Sequence, residues 1–234
     1  MKALPSSSDE FLNGVTLLID KPFGWSSFDV VKRIKYLIQK KYNLKKLKVG
    51  HGGTLDPLAT GLLIICVGKF TKKLGQIQKE KKTYVGTITL GASTPSYDLE
   101  TTIDKNYETS HITEDLVYKT TKKFVGEINQ KPPIFSALKQ DGERLYKKAR
   151  RGENIPLKER TVYIRKFEIT SIKNLNVNFE IRCSKGTYIR SIANDFGLAL
   201  NSGAHLSKLS RTAIGEYSLS ESIDIKTFER LLNS

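Results

Sequence analysis

The chain has 234 residues, and its 39 lysines and arginines against 24 aspartates and glutamates leave a formal net charge of +15. This length allows a sizeable core, and a hydrophobic content of 38% excludes a largely disordered chain. The basic excess indicates a polyanionic partner, and nucleic acid fits better than a membrane because no amphipathic basic anchor is evident.

The chain start and the cysteines indicate a cytoplasmic protein. The first ten residues, MKALPSSSDE, have no apolar segment typical of a secretory signal, and no run approaches membrane-spanning length. Only Cys66 and Cys183 occur, far apart in sequence, so neither a disulfide framework nor a CxxC metal site is supported. We therefore predict a reducing, cytoplasmic setting without membrane contact.

The first elements are predicted as a strand over residues 15–19, a turn, and a helix that begins at Ser26 or Ser27. Apolar residues recur with helical period along this helix, and Ser26 with Asp29 resembles a capping box. Residues 30–55 contain eight basic residues and no acid. Such a run is often only a solvated face, but the absence of acids favours contact with a polyanion.

Further elements follow from apolar periodicity and turn residues. Strands are predicted at 62–67, 83–90, 162–172, 177–183 and within 206–219, and helices after Thr113, at 143–151, after Gly186 and at 225–232. Residues 93–110 are predicted as a loop, and residues 131–160 as an excursion from the main body. This order predicts an α+β or mixed α/β fold in which antiparallel strand pairs are prominent.

The glycine-rich segment 50–61 contains the most informative acid, Asp56. Four glycines allow close backbone approaches, and Pro57 restricts Asp56 to extended geometry. A carboxylate aimed in this way suits nucleophilic or acid–base catalysis, although an aspartate that only caps a turn gives the same pattern. The segment matches neither phosphate-binding glycine motif, and its acid would repel a phosphate.

Other candidate groups are less distinctive. The three histidines have no metal-pair spacing and the acids do not cluster, so no metal site is predicted. Tyr84 lies in an alternating strand, where a core aromatic is the simpler interpretation. Arg190 lies near a predicted helix start, where the helix dipole disfavours a positive charge, and this suggests a specific anionic partner. The alternative is an arginine that faces solvent.

Several ordered segments share one family pattern. They are residues 18–27 (LIDKPFGWSS), 49–63 (VGHGGTLDPLATGLL), 82–84 (KTY), 130–146, 183–190 (CSKGTYIR) and 203–209 (GAHLSKL). Together they resemble the bacterial TruB family of tRNA pseudouridine synthases over about residues 12–219.

The resemblance implies a pseudouridine synthase fold, with a central mixed, largely antiparallel sheet flanked by helices and an RNA-gripping insertion at about 131–160. It implies isomerisation of uridine 55 in the T-loop of tRNA, without cofactor or metal. We expect a flexible N-terminal tail over 1–11 and a catalytic domain over 12–234. Many relatives carry a C-terminal PUA domain, which we expect to be missing here.

By the same resemblance, Asp56 is the nucleophile and attacks either the uracil ring or the ribose anomeric carbon. Arg190 would pair with Asp56 and favour its charged form, and Tyr84 would stack on the target base and remove its ring proton. Residues assigned to substrate binding are His51, Tyr188, Leu209, Lys21 and Lys185. Residues assigned to the RNA backbone are Lys32, Arg33, Lys35, Lys147 and Arg151.

Three other functions remain open at the level of sequence. The chain could be a tRNA-binding chaperone whose chemistry is dispensable, a guide-RNA-dependent relative that modifies ribosomal RNA, or a metal-dependent nuclease. A monomer is the default expectation because nothing in the sequence suggests obligate oligomerisation.

Overall fold

The computed structural model describes residues 4–136, 138–140, 142–153 and 155–234. The chain forms two compact units, of which the first comprises the residues up to Tyr84 together with Leu209–Ser234, and the second comprises Val85–Lys208. Two strands, β4 and β12 below, contribute residues to both units.

The helices and strands of the described residues are numbered in chain order. The helices are α1 (Ser8–Asn13), α2 (Ser27–Tyr42), α3 (Leu74–Lys79), α4 (Glu114–Thr121), α5 (Leu145–Arg150), α6 (Ile189–Ala199) and α7 (Ile225–Asn233). The strands are β1 (Val15–Lys21), β2 (Val49–His51), β3 (Thr60–Val67), β4 (Lys82–Leu90), β5 (Ala92–Ser93), β6 (Lys105–Asn106), β7 (Gly126–Gln130), β8 (Lys139–Gln140), β9 (Glu143–Arg144), β10 (Arg160–Lys173), β11 (Asn176–Cys183), β12 (Ala204–Ile214) and β13 (Tyr217–Ser218).

In the first unit, β3 is the central strand. It pairs antiparallel with β1 and β2, and parallel with β12. Alternate side chains of β3 enter two apolar clusters, with Leu63 and Ile65 beside α2 and α7, and Leu62 and Ile64 beside Ile77 of α3. Both faces of the strand are covered, which explains why its sequence is continuously apolar rather than alternating.

Helix α2 begins where its sequence indicates. Ser26 and Asp29 form the predicted capping box, and Asn43 in the left-handed conformation ends the helix. Its buried positions recur at helical spacing and join the core of the first unit, while its other face carries the basic side chains.

In the second unit the strand order is β12-β4-β11-β10-β7. Strands β10 and β11 form the long antiparallel hairpin that the sequence predicted, with Asn174 left-handed at the turn. A cluster of aromatic rings from this sheet and its helices forms a core, and its members are Phe124, Phe167, Phe179 and Phe196. The predicted mixed α/β class with a largely antiparallel sheet is confirmed.

The predicted insertion forms small elements of its own within the second unit. Strands β8 and β9 pair as a hairpin and lead into α5, whose Leu145 is buried. Ala137, Asp141 and Asn154 of the predicted insertion lie outside the described residues.

The chain start differs from the predicted flexible tail over 1–11. Helix α1 begins at Ser8, Ser7 caps it, and Phe11 is completely buried in the core of the first unit. Residues 1–3 lie outside the described residues. No helix in the described part of the chain is long and apolar enough to cross a membrane.

Candidate active site

Asp56 lies in the loop that joins β2 to β3. Its carbonyl accepts a hydrogen bond from the Ala59 amide at 3.1 Å, which closes a tight turn over Pro57 and Leu58. The residue is partly exposed, whereas its neighbour Leu55 is buried. Asp56 is therefore a partly exposed residue in a hydrogen-bonded turn, and its role as the nucleophile stays a prediction.

The start of α2 holds the backbone on both sides of Asp56. The Ser27 hydroxyl donates to the Leu55 carbonyl at 3.0 Å and accepts from the Leu55 amide at 2.7 Å. The Gly24 amide donates to the Pro57 carbonyl at 2.9 Å. These bonds limit how far the Asp56 backbone can shift relative to the helix.

Lys21 has a different role from the predicted contact with substrate. Its side chain is fully buried, and its ammonium donates to the carbonyls of Pro22, Trp25 and Pro57 at 3.0, 2.5 and 3.2 Å. Burial lowers the pKa of Lys21 from 10.5 to about 8, an effect that the charge of Asp56 opposes. Lys21 is therefore a positioning residue that ties the loop after Asp56 to the turn before α2.

Arg211 on β12 is a second buried cation that the sequence analysis missed. Its guanidinium donates to the carbonyls of Leu62, Gly53 and Thr54 at 2.8, 2.9 and 3.3 Å, and the residue is 1% exposed. Gly61 permits this approach of the strands, since a Cβ there would lie 2.5 Å from the Arg211 carbonyl. The Asp56 loop is thus held from β12 as well as from α2.

His51 is a neutral imidazole at the start of the same loop. Its Nδ1 accepts a hydrogen bond from the Gly53 amide at 3.4 Å, so we assign the ring proton to Nε2. Burial lowers the pKa of His51 below its usual 6.5, and the nearby charge of Arg211 lowers it further. His51 can therefore donate a hydrogen bond from Nε2 without carrying a charge at neutral pH.

Tyr84 and Leu209 lie on the two strands that contribute to both units. Tyr84 is buried near the start of β4. Leu209 is partly buried on β12, and its carbonyl accepts from the Thr60 hydroxyl at 3.4 Å. Both belong to the first unit, as Asp56 does.

Arg190 lies in the first turn of α6 in the second unit. Its guanidinium donates to the Ser96 carbonyl at 3.2 Å, and its Nε lies 3.6 Å from the Asp98 carboxylate. Both charged residues are buried. The helix-start arginine thus has an anionic neighbour, as its position suggested, but the predicted pairing with Asp56 stays a prediction.

Tyr188 immediately precedes α6, and its backbone is hydrogen-bonded to the side chain of Gln130. Its amide donates to the Gln130 side-chain oxygen at 2.8 Å, and the Gln130 side-chain amide donates back to its carbonyl at 3.0 Å. The Arg160 guanidinium lies 5.2 Å from the centre of its ring. Lys185 is exposed in the preceding turn, where Gly186 has a φ of +80°.

The five residues predicted to bind the RNA backbone divide into two groups. Lys32, Lys35 and Lys147 are exposed, as that role requires. Arg33 instead forms an ion pair with Glu229 of α7. Arg151 forms ion pairs with Glu143 and Glu153, which are close to it in sequence. These ion pairs are partly exposed and therefore weak, so the phosphate contacts of all five residues stay predictions.

No group of three or more histidine, cysteine, aspartate or glutamate side chains within the described residues could hold a metal ion.

Comparison with known proteins identifies the class and then the family. A family model described as TruB family pseudouridylate synthase (N terminal domain) matches residues 39–189, which places the chain among pseudouridylate synthases. The tRNA pseudouridine synthase B of Flavobacterium johnsoniae is 57% identical over 96% of this chain and 98% of its own length. That of Phocaeicola vulgatus is 48% identical over 95% of each. The chain belongs to the TruB family of pseudouridylate synthases.

Solved structures show the same fold. A chain in the crystal structure of a Cbf5-Nop10-Gar1 complex is 28% identical, with a TM-score of 0.71 over 98% of this chain and 60% of that one. A chain in an H/ACA RNP bound to a substrate RNA containing 2'-deoxyuridine is also 28% identical, with a TM-score of 0.68 over 95% of this chain and 54% of that one.

Proposed function

We propose that this protein isomerises uridine 55 in the T-loop of tRNA to pseudouridine, with Asp56 as the nucleophile. The observation that carries the proposal is the position of Asp56, a partly exposed residue on a loop that Ser27, Lys21 and Arg211 hold through hydrogen bonds to its backbone. The named relatives, which match almost the whole chain, support tRNA as the substrate.

The reaction balances without a redox partner. The bond from uracil N1 to ribose C1′ breaks and a bond from uracil C5 to C1′ forms, while C5 loses a proton and N1 gains one. Asp56 can assist by attacking either the uracil ring or C1′, and either route ends with the carboxylate released. A charged carboxylate held rigidly near its target supplies this step by proximity and orientation.

The remaining assigned residues complete the proposed pocket. Arg190 would keep Asp56 charged, and Tyr84 would stack on the uracil and accept the C5 proton. Tyr188 and Leu209 would line the pocket, and the Nε2–H of His51 would help hold the nucleotide out of its loop stack.

The target base must leave the T-loop before it can react. Eversion costs a few kcal/mol, and stacking on aromatic side chains offsets about 1–3 kcal/mol for each base. The net charge of +15 provides the complementary surface for RNA phosphates. We propose that the protein acts on tRNA in the cytoplasm as a monomer, and a reducing compartment agrees with its two buried cysteines, which form no disulfide.

The direct test is carbodiimide or mass-spectrometric mapping of a tRNA transcript after incubation with the purified chain. We expect one new pseudouridine at position 55, with or without a chelator, on both the full tRNA and an isolated T-arm hairpin. A transcript with cytidine at position 55 is the control. Cleaved RNA, a requirement for a guide RNA, or unmodified uridine 55 would each contradict the proposal.

A further inference from the structure

We propose that a surface at the start of α2 stacks on unpaired RNA bases outside the catalytic pocket and binds their phosphates. We call it the aromatic–basic surface, and its members are Phe23, Trp25, Phe28, Lys32, Lys35 and Tyr36. The proposal rests on the proposed function and adds a second contact to the same RNA substrate.

The aromatic side chains of this surface are unusually exposed. Phe23, Phe28 and Tyr36 are 67%, 59% and 53% exposed, and Trp25 is 36% exposed. A single exposed aromatic is ordinary in a soluble protein, but four within fourteen residues of one turn and helix form a continuous feature of the sequence. These aromatic side chains do not belong to the core of the first unit, which is filled by the opposite, aliphatic face of α2.

Helical geometry places the basic groups beside the rings. Phe28, Lys32 and Lys35 are separated by four and three residues and therefore share one face of α2. The Lys32 ammonium lies 4.8 Å from the centre of the Phe28 ring. An exposed ring with a cation at its side can stack on a base and bind the adjacent phosphate.

Electrostatics favours RNA over another protein as the partner. Asp29, the one acid in the sequence of α2, accepts hydrogen bonds from the amide and hydroxyl of Ser26 at 3.1 and 2.6 Å. Among the ion pairs of the described residues, none involves Lys32 or Lys35. Lysines are depleted in protein–protein interfaces, whereas lysines interleaved with exposed rings are typical of surfaces that bind single-stranded nucleic acid.

The surface is connected directly to the catalytic loop. The turn that carries Phe23 and Trp25 contacts the Pro57 carbonyl through the Gly24 amide, and Lys21 bonds both Trp25 and Pro57. Ser27, next to Phe28, bonds Leu55 in both directions. RNA bound to this surface is therefore held at a fixed distance from the Asp56 loop.

The test compares Phe28→Leu and Phe23→Leu with the unaltered chain, since leucine removes the ring and keeps an apolar side chain. We expect the Kd for a T-arm hairpin to rise by roughly fivefold or more in each variant, in line with the loss of one stacked base. The single-turnover rate at saturating RNA should stay within about twofold, because the proposed contact is to bases outside the reacting nucleotide.

Two further variants separate stacking from charge and from general exposure. Tyr118→Leu, at a residue 46% exposed in α4, a helix whose first turn is acidic, should leave the Kd unchanged. Lys32→Gln should lower the slope of log Kd against log salt by about 0.7–0.9, while Phe28→Leu should leave that slope unchanged. Thermal melting confirms that the variants remain folded.

The outcomes separate this inference from the proposed function. Modification of uridine 55 together with an unchanged Kd in both phenylalanine variants would overturn the surface alone and favour a protein partner for the exposed rings. Weakened binding in both variants, with unchanged binding in Tyr118→Leu, supports the surface even if uridine 55 stays unmodified. An equal loss of affinity in Tyr118→Leu would also overturn it.

Discussion

Lys21 shows how a buried charge can organise the Asp56 loop. The ammonium has no exposed surface, and three backbone carbonyls surround it, including the one immediately after Asp56. Burial of a cation costs free energy unless hydrogen bonds and a nearby negative charge compensate, and here the carbonyls and Asp56 offset only part of that cost, because the pKa of Lys21 is still lowered to about 8. The residue therefore contributes to the position of the loop rather than to contact with RNA.

Replacing Lys21 with methionine should change how stability depends on pH. The pKa of Lys21 is about 8 in the folded chain and 10.5 when unfolded, so between these values the unfolded state binds more protons. Lys21 thus makes the folded state more stable as pH rises from 8 to 10.5, by on the order of 3 kcal/mol. Denaturant unfolding of both proteins at pH 7.5 and pH 10 should show a smaller pH-dependent gain in Lys21→Met.

Lys21→Met should reduce the catalytic rate more than the affinity for RNA. The carbonyls of Pro22, Trp25 and Pro57 lose their donor, whereas the exposed side chains of the protein are unaltered. Lys226→Met, at an exposed position on α7, is the matched control. An identical pH dependence in Lys21→Met and the unaltered chain would contradict the role assigned to the buried ammonium.

The sequence singled out Asp56 and Lys21, but it predicted neither the buried position of Lys21 nor the contribution of Arg211 to the same loop. Pro57 and the surrounding glycines are local signals, and they are next to Asp56 in the chain. The partners of Lys21 and Arg211 are backbone carbonyls up to 36 and 158 residues away. Every residue has a backbone carbonyl, so the sequence does not show which residues are the partners. A lysine or arginine is also expected on the surface, so the sequence does not indicate that these two side chains are buried. The pairing of Arg33 with Glu229 was missed for the same reason of distance.

At the scale of elements, two adjacent serines at the start of α2 have separate functions. Ser26 caps the helix by accepting from the Asp29 amide at 3.1 Å, whereas Ser27 bonds the amide and carbonyl of Leu55. One serine stabilises the helix, and the other connects the helix to the Asp56 loop.

Replacing each serine with alanine should separate these functions. Ser26→Ala should lower the free energy of unfolding by about 1 kcal/mol and leave the single-turnover rate near that of the unaltered chain. Ser27→Ala leaves a buried amide and carbonyl without a side-chain partner, which should cost about 1–3 kcal/mol, and should slow turnover by roughly tenfold or more. Equal rates in the two variants at equal RNA saturation would count against the bracing of the loop by Ser27.

Elements with a strong apolar period were predicted well, and short elements were not. The periods of α2 and of the β10–β11 hairpin follow directly from burial on one face. Helix α1 has six residues and only one buried side chain, Phe11, so tertiary packing rather than periodicity determines it. Helix α3 is equally short and has only Ile77 buried.

For the whole molecule, the net charge of +15 should make RNA binding strongly dependent on salt. The segment 30–55 has no acid, so its lysines should contribute more to this dependence than an equal number elsewhere. We expect the triple change of Lys45, Lys46 and Lys48 to glutamine to reduce the slope of log Kd against log salt by about 2.

The matched control is the triple change of Lys122, Lys123 and Lys226 to glutamine, which removes the same charge at exposed positions. It should reduce the slope by less than about 1. Equal slopes in the two triple variants would show that only total charge matters, which would contradict a localised RNA-binding segment.

The most direct test of the central claim is the single-turnover rate of pseudouridine formation by Asp56→Asn on a T-arm hairpin. The amide keeps the size of the side chain and removes its charge, so we expect the rate to fall by at least about a thousandfold while the Kd stays within about threefold. Asp9→Asn, the same change at an exposed position on α1, should retain the full rate. Turnover by Asp56→Asn above about a tenth of the unaltered rate would contradict the assignment of Asp56 as the nucleophile.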